Sequence, residues 1–172
     1  MFKIRIYILI LFIVLITTYL KAFESSWSSG IESQVRLISA STTNNNESEI
    51  YVGLEYQLND GWKTYWKSPG DGGFPQEINW SNSTNIKNLY IKWPVPNEFE
   101  ILEMKSIGYS KNIIFPLKLE LINPNKDTSV VLEINYLVCE DICIPGNAYL
   151  ELLIPSGLGS LTPHSFNLEK SI

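Results

Sequence analysis

The sequence holds few of the residues and motifs on which common enzyme classes depend. Its 172 residues include one histidine and two cysteines. We find no internal repeat, no glycine-rich loop that would cradle a phosphate, and no serine motif of the kind that hydrolases use. These absences argue against a phosphate-binding loop protein and a serine hydrolase. They leave the cysteine pair, Cys139 and Cys143, as the feature to explain.

Basic residues are also scarce. The chain has 13 lysines and arginines against 18 aspartates and glutamates, a net charge of −5. Without the three basic residues that precede position 23, the 13 fall to 10 against 18 acidic residues, a net charge of −8. No basic stripe offsets this balance, so the composition argues against nucleic acid and anionic lipid as partners.

Long uncharged apolar runs are missing except at the N-terminus. Residues 6–20 form such a run of 15, preceded by Lys3 and Arg5 and followed by Lys21 and Ala22. This layout is typical of a secretory signal peptide. The run is short for a membrane-spanning helix, which needs roughly 20 apolar residues. We therefore predict a signal peptide over residues 1–22 and export from the cytoplasm; an uncleaved segment that anchors the chain in the membrane is the alternative.

Helical periodicity over three turns is absent after this segment. The chain instead alternates between apolar and polar residues, most clearly at positions 50–58 and 130–138. Alternation with a period of two is typical of half-buried strands. Roughly seven to nine short strands with turn residues between them predict an all-β fold, an antiparallel β-sandwich. We place this single domain at residues 23–156 and a C-terminal tail at residues 157–172.

Two local patterns lead to further expectations. The turn residues at 59–61 (NDG) predict a hairpin, in which residues 62–66 return as the partner of the strand at 50–58. Residues 97–110 show no clear alternation and predict an irregular stretch.

The spacing of the two cysteines restricts the local backbone. Residues four apart in a straight strand are separated by about 13 Å, whereas a disulfide needs Cα atoms roughly 4.4 to 6.8 Å apart. If Cys139 and Cys143 pair, the chain must therefore turn between them, and Glu140 and Asp141 suit a turn. We predict that such a pair lies at the mouth of a hairpin at one end of the sandwich.

A disulfide across so short a ring contributes little to stability. The loop-entropy estimate for about five residues is about 2 kcal/mol, and strained, exposed disulfides are the ones that exchange readily. These two points favour a redox pair, while a passive clip that holds the hairpin stays open as the alternative. Glu140 and Asp141 would disfavour a thiolate, so we expect raised thiol pKa values in the reduced pair.

Four stretches, in the same order along the chain, resemble a known family. They are residues 61–73 (GWKTYWKSPGDGG), 93–96 (WPVP), 108–109 (GY) followed by 116–117 (PL), and 136–145 (YLVCEDICIP). Together they resemble the periplasmic N-terminal domain of the DsbD-like thiol:disulfide interchange proteins, in the branch that includes the suppressor-of-copper-sensitivity proteins. The resemblance covers nearly the whole chain after the signal segment.

This resemblance implies an immunoglobulin-like β-sandwich in the bacterial periplasm. It implies that Cys139 and Cys143 are the redox-active residues, that they receive electrons from a membrane-embedded thiol–disulfide carrier, and that they reduce oxidised periplasmic thiol proteins without a cofactor. By the family's habit, Cys143 would form the mixed disulfide with a partner.

Two departures from the family pattern bear on mechanism and partners. The best-known members separate their cysteines more widely than this chain does. Larger members also continue into a multi-helix membrane domain and a thioredoxin-like domain. We therefore expect the electron donor to be a separately encoded protein.

We expect the aromatic residues near these motifs either to pack in the sandwich core or to cover the cysteines. Three are expected in the sandwich core, with shielding of the redox pair as the alternative: Trp62, Tyr65 and Trp66. Three others lie in irregular stretches and are candidates for a lid: Phe74, Phe99 and Tyr109.

Two other functions are compatible with the sequence. A β-sandwich that binds envelope partners without catalysis would use the disulfide as a structural clip. A copper-binding protein would combine Cys139 and Cys143 with Met104 and His164, since soft ligands select Cu(I). His164 is otherwise expected to be solvated in the polar tail.

Overall fold

The computed structural model describes residues 23–101 and 103–172, and the predicted signal peptide lies outside the described residues. Within these ranges the chain forms ten strands and one short helix. They are β1 (Ser33–Ser39), β2 (Glu49–Leu58), β3 (Lys63–Gly70), β4 (Glu77–Asn79), β5 (Ile86–Ile91), β6 (Asn97–Ile101), β7 (Met104–Ser110), β8 (Asn112–Leu121), β9 (Thr128–Cys139), β10 (Cys143–Ile154) and α1 (Ser165–Ser171). In this part of the chain no helix has the length and hydropathy needed to cross a membrane.

The strands form two antiparallel sheets packed face to face. The first sheet has the order β1-β2-β8-β5, and the second has the order β10-β9-β3-β7-β6, with the short β4 also paired to β9. The pairings in both sheets are antiparallel. This is the immunoglobulin-like antiparallel β-sandwich that the sequence predicted.

The main core lies between the two sheets and explains the alternating sequence pattern. On β10, Leu150, Leu152 and Ile154 are buried, while the residues between them are exposed. Burial of one such side chain contributes about 1.5–3 kcal/mol. A shift by one residue would turn all of them to solvent, so their burial selects a single strand register.

The β9–β10 hairpin defines two ends of the molecule. Thr128 pairs with Ile154 at one end, and Cys139 pairs with Cys143 at the other. At about 3.3 Å per residue, a strand of this length spans roughly 36 Å. We call the first the tail end, because the C-terminal residues pack there, and the second the hairpin end.

The prediction that β3 pairs with β2 was wrong. β3 instead crosses to the second sheet, where Lys63 pairs with both Ser110 of β7 and Cys139 of β9. The reason is that β1 and β8 already occupy both sides of β2. This crossing brings β3 next to the cysteines.

The prediction of an irregular stretch at residues 97–110 was also wrong. These residues form the β6–β7 hairpin, in which Phe99 pairs with Ser106 and Ile101 with Met104. Alternation in β6 is confined to Phe99 and Ile101 among glutamates, which is too short a pattern to predict a strand. The hairpin lies at the edge of the second sheet, beyond β3.

The C-terminal helix packs against the tail end. Leu168 of α1 is fully buried. His164 Nε2 lies 2.8 Å from Glu24 Oε2, and its side chain is 15% exposed, so the predicted solvated position was wrong. A helix of seven residues cannot show periodicity over three turns, which is why the sequence pattern did not reveal it.

Candidate functional site

The two cysteines form a disulfide across the β9–β10 turn. Cys139 is the last residue of β9 and Cys143 the first of β10, and they pair in register with Cα atoms 4.1 Å apart. The turn is closed by a hydrogen bond from the Glu140 amide to the Ile142 carbonyl oxygen, at 3.0 Å. The prediction of a turn between the cysteines, at one end of the sandwich, is confirmed.

The disulfide lies on the outer face of the second sheet. Along β9, Tyr136 and Val138 pack in the main core, whereas Leu137 and Cys139 alternate with them on the opposite face. A residue on an outer face is usually exposed, yet Cys139 has 0% relative exposure. A local cover therefore excludes solvent from this cysteine.

Neighbouring strands supply this cover. Cys139 clusters with Tyr65 of β3 and Ile101 of β6, and Phe99 and Leu137 pack against the same group. The ring centroids of Tyr65 and Phe99 are 6.2 Å apart. We call this group of residues the outer cluster, to distinguish it from the main core. The β6–β7 hairpin therefore contributes to the site, because it carries Phe99 and Ile101 to the buried cysteine.

Tyr65 makes the polar contact with the disulfide. Its hydroxyl donates a hydrogen bond to Cys139 Sγ at 3.0 Å and lies 3.9 Å from Cys143 Sγ. Burial raises the pKa of Tyr65 above its usual value, so the hydroxyl keeps its proton at neutral pH. The site thus holds an O–H donor directed at the buried sulfur.

The two cysteines differ in their access to solvent. Cys143 is exposed, whereas Cys139 is not. The turn between them is exposed as well, including Ile142 with 61% relative exposure. A thiol from another protein can therefore reach Cys143, and the outer cluster blocks a direct approach to Cys139.

Charged side chains of both signs border the pair. Glu140 and Asp141 are exposed in the turn, and the Glu140 carboxylate lies directly over Gly61, where it would overlap an added Cβ. Lys63 is the register partner of Cys139 on β3, and its ammonium donates a hydrogen bond to the Gly61 carbonyl oxygen at 2.8 Å. The acidic turn thus has the Lys63 cation beside it.

The aromatic residues singled out from the sequence divide between the two clusters. Trp62 and Tyr109 belong to the main core, and Trp66 packs against it. Tyr65 was expected in the core but contacts the disulfide instead, so the shielding alternative was right for this residue. Phe99 is part of the cover, as the lid prediction proposed.

The lid prediction was wrong for the other two candidates. Tyr109 is 3% exposed in the main core, and its hydroxyl donates to the Pro94 carbonyl oxygen at 2.8 Å. Phe74 is 45% exposed and lines a groove beside the hairpin. Sequence reasoning missed Ile101 and Lys63, because their proximity to Cys139 depends on strand pairings that no local pattern reveals.

The candidate copper ligands do not converge. Cys139 and Cys143 lie at the hairpin end, whereas His164 is bonded to Glu24 at the tail end. Among residues 23–101 and 103–172, no group of three or more His, Cys, Asp or Glu side chains is arranged to hold a metal ion. The ligand set proposed from the sequence is therefore not assembled.

Known proteins show both a family match and a structural likeness. The family model for the N-terminal domain of the thiol:disulfide interchange protein DsbD matches residues 34–155, a range that includes both cysteines and the outer cluster. The N-terminal periplasmic domain of ScsB from Proteus mirabilis shares 24% identity with the chain, with a TM-score of 0.69. That alignment covers 88% of this chain and 60% of the ScsB chain.

A more distant likeness is to the N-terminal domain of Neisseria meningitidis DsbD in the reduced form. It has 11% identity and a TM-score of 0.39, over 74% of this chain and 88% of that chain. No curated protein matches the chain significantly. The ScsB likeness confirms the predicted sandwich fold.

Proposed function

The chain belongs to the family of DsbD N-terminal domains, as its motifs indicated, and on this premise we propose that it is a thiol:disulfide interchange module of the bacterial periplasm. Its Cys139–Cys143 pair takes two electrons from a membrane-embedded thiol–disulfide carrier and passes them to oxidised envelope proteins. The observation that carries this proposal is the asymmetry of the pair, with Cys143 exposed and Cys139 buried beneath a hydroxyl donor. The apolar run at residues 6–20 supports export.

A purely structural disulfide would add little to this hairpin. A ring of about five residues contributes about 2 kcal/mol by loop entropy, and β9 and β10 already pair over twelve register positions. The strands therefore hold together without the bond. The O–H donor and the apolar cover around Cys139 Sγ have their largest effect when the disulfide opens, because Cys139 is then a thiolate.

Reduction begins when a donor thiolate attacks Cys143 Sγ. A donor–Cys143 disulfide forms, the Cys139–Cys143 bond breaks, and its electron pair leaves with Cys139 as a thiolate. The Tyr65 hydroxyl, 3.0 Å from Cys139 Sγ, stabilises this thiolate by a charge-assisted hydrogen bond. Because a thiol of lower pKa leaves faster, Tyr65 favours attack at the exposed sulfur.

The second step completes the transfer. The donor's other thiolate attacks the donor sulfur of the mixed disulfide, which releases Cys143 as a thiolate and leaves the donor oxidised. Cys139 and Cys143 each take up a proton, so the module gains two electrons and two protons. In the reverse direction the Cys143 thiolate attacks the disulfide of an envelope protein, and Cys139 then attacks Cys143 Sγ to restore the original bond.

The outer cluster protects Cys139 while Cys143 is held in a mixed disulfide. Tyr65, Phe99 and Ile101 enclose Cys139, so its thiolate is shielded from other thiols and from oxidants. Cys143 is its register partner and stays beside it. A reaction between two groups held next to each other is much faster than one with a group that must diffuse in. The arrangement therefore favours rapid resolution of the mixed disulfide between Cys143 and an envelope protein, in which Cys139 is the attacking group.

The reduction potential of the disulfide tests this proposal against a structural clip. We expect a value between about −300 and −120 mV, the range of exchange proteins, from equilibration with glutathione buffers of varied ratio of thiol to disulfide. A value below about −300 mV would mark a structural bond and contradict the proposal. The double variant Cys139→Ala/Cys143→Ala is the control, since any signal change that it shows does not arise from the disulfide.

A further inference from the structure

A groove lies on the outer face of the second sheet, next to the disulfide. Its volume is about 720 Å³, and its lining includes Phe74, Glu77, Leu137 and Pro145. Phe74 lies in the loop between β3 and β4, whereas Leu137 and Pro145 lie on β9 and β10. The groove therefore begins two positions along β9 and β10 from the two cysteines.

The floor of the groove follows the register of β9 and β10. Moving away from the cysteines on the same face of the sheet, Leu137 pairs with Pro145, and then Asn135 pairs with Asn147. The Asn147 amide donates to Asn135 Oδ1 at 3.2 Å. Successive pairs on one face are about 6.8 Å apart. Three residue pairs therefore follow one another on this face: the cysteines, then Leu137 with Pro145, then Asn135 with Asn147. Their spacing equals that of alternate residues in an extended peptide.

The side of the groove combines an aromatic ring with negative charge. Phe74 is 45% exposed there, and Glu77 is exposed on β4, where it pairs in register with Asn135. Glu140 and Asp141 are exposed at the hairpin turn. The groove therefore combines apolar side chains with one acidic residue, Glu77, while the acidic turn lies beyond the cysteines and outside the groove lining.

We propose that this groove binds the extended segment that flanks the reacting cysteine of a partner protein. An apolar side chain two residues from that cysteine packs on Leu137, Pro145 and Phe74. The inference rests on the proposed function, because a partner sulfur that reaches Cys143 places its neighbouring residues over the adjoining surface. The position of the groove, whose first residue pair is the next one on the same face after the disulfide, is the argument for this occupant.

Two reduced peptides test the inference. Acetyl-Leu-Gly-Cys-Gly-Leu-amide and acetyl-Ser-Gly-Cys-Gly-Ser-amide present the same thiol with and without apolar side chains two positions away. The measured quantity is the second-order rate constant with which each peptide opens the disulfide of the folded protein. We expect the leucine peptide to react about fivefold faster, as partial burial of one leucine side chain would give. Dithiothreitol, which is too small to fill the groove, provides the baseline rate.

Variants at exposed positions then locate the effect. Phe74→Ser removes the aromatic side of the groove, and Asn147→Trp fills it from β10; both should bring the peptide ratio close to unity while the dithiothreitol rate stays at the wild-type value. Tyr90→Ser is the matched control. Tyr90 is 48% exposed but lies on β5 of the other sheet, so this variant should keep the wild-type ratio.

The outcomes separate the groove from the proposed function. Equal peptide rates in the wild type, or a rate ratio that is unchanged in Phe74→Ser and Asn147→Trp, would overturn the groove assignment. Normal reduction by dithiothreitol in the same experiment would leave the proposed function standing. A disulfide that resists dithiothreitol in the folded protein would overturn both. Equal peptide rates together with a dimer that Phe74→Ser dissociates would assign the groove to a second copy of the chain, which also contradicts the inference.

Discussion

The main core and the outer cluster lie on opposite faces of the second sheet, and the outer cluster is much the smaller of the two. In the main core, Phe115 packs edge to face on Tyr56 and Tyr109, with ring centroids 5.4 and 5.0 Å apart. In the outer cluster, Cys139 lies within hydrogen-bond distance of Tyr65. Phe115 and Cys139 are both fully buried. Burial therefore stabilises the fold in the main core, and in the outer cluster it sets the surroundings of the disulfide that the proposed function opens.

If the two clusters have separate tasks, a change in the main core should affect stability alone. Phe115→Ala removes the central ring and should lower the free energy of unfolding by about 3–5 kcal/mol, measured by urea denaturation. The reduction potential of the folded variant should equal that of the wild type. A shifted potential would show that the two clusters are coupled and would break the comparison.

The next largest effect is expected in the outer cluster, from Tyr65→Phe, which removes the hydroxyl alone. A hydrogen bond to a charged group contributes about 1.5–3 kcal/mol, so reduction of the disulfide by dithiothreitol should slow roughly tenfold or more. Because burial raises the pKa of Tyr65, the difference should persist at pH 10, about the usual tyrosine pKa.

Tyr90→Phe is the matched control for that experiment, since Tyr90 lies on the other sheet. It should leave the rate of reduction unchanged. Equal rates for Tyr65→Phe and the wild type would remove the hydroxyl from the mechanism.

A smaller effect is expected when the cover is opened. In a Cys143→Ala background, Cys139 is the sole thiol of the chain, and Phe99→Ala should let iodoacetamide alkylate it a few-fold faster, because the ring no longer shields it. Mass spectrometry measures the rate. Phe74→Ala, which removes an aromatic ring outside the cover, should leave alkylation unchanged. If both variants behave alike, the outer cluster does not protect this thiol.

The smallest effect should come from the charges around the turn, because exposed charges interact through water. Neutralising the turn with Glu140→Gln and Asp141→Asn should lower the thiol pKa of Cys143 in the reduced protein, and Lys63→Gln should raise it. Thiolate absorbance against pH measures both. Shifts of the opposite sign, or a wild-type Cys143 pKa well below the free-cysteine value of about 8.5, would contradict this electrostatic assignment.

The sandwich and the cysteine turn were predictable because both depend on local patterns. Alternation on β2 and β9 marks two long strands. The spacing of Cys139 and Cys143 requires a bend if they pair, and the structure has that bend. These features follow from residues close together in sequence.

The sequence named Tyr65 and Phe99 only among several candidates for the cover and missed Ile101, because the cover depends on strands that are distant in sequence. Tyr65 and Cys139 are 74 positions apart, and they meet because β3 crosses to the second sheet. A local pattern shows Tyr65 as one aromatic residue among several beside a turn. Phe99 and Ile101 reach the site through a short edge hairpin whose pairing depends equally on β3.

The difference between the two cysteines can be measured directly when each is left alone in the folded protein. Cys139→Ala retains the exposed Cys143, and Cys143→Ala retains the buried Cys139. We expect Cys139→Ala to form a mixed disulfide with oxidised glutathione at least about tenfold faster than Cys143→Ala, with the two rates converging in urea, where the cover is lost. Equal rates in the folded protein, or a faster Cys143→Ala variant, would contradict the assignment of Cys143 as the exchanging sulfur.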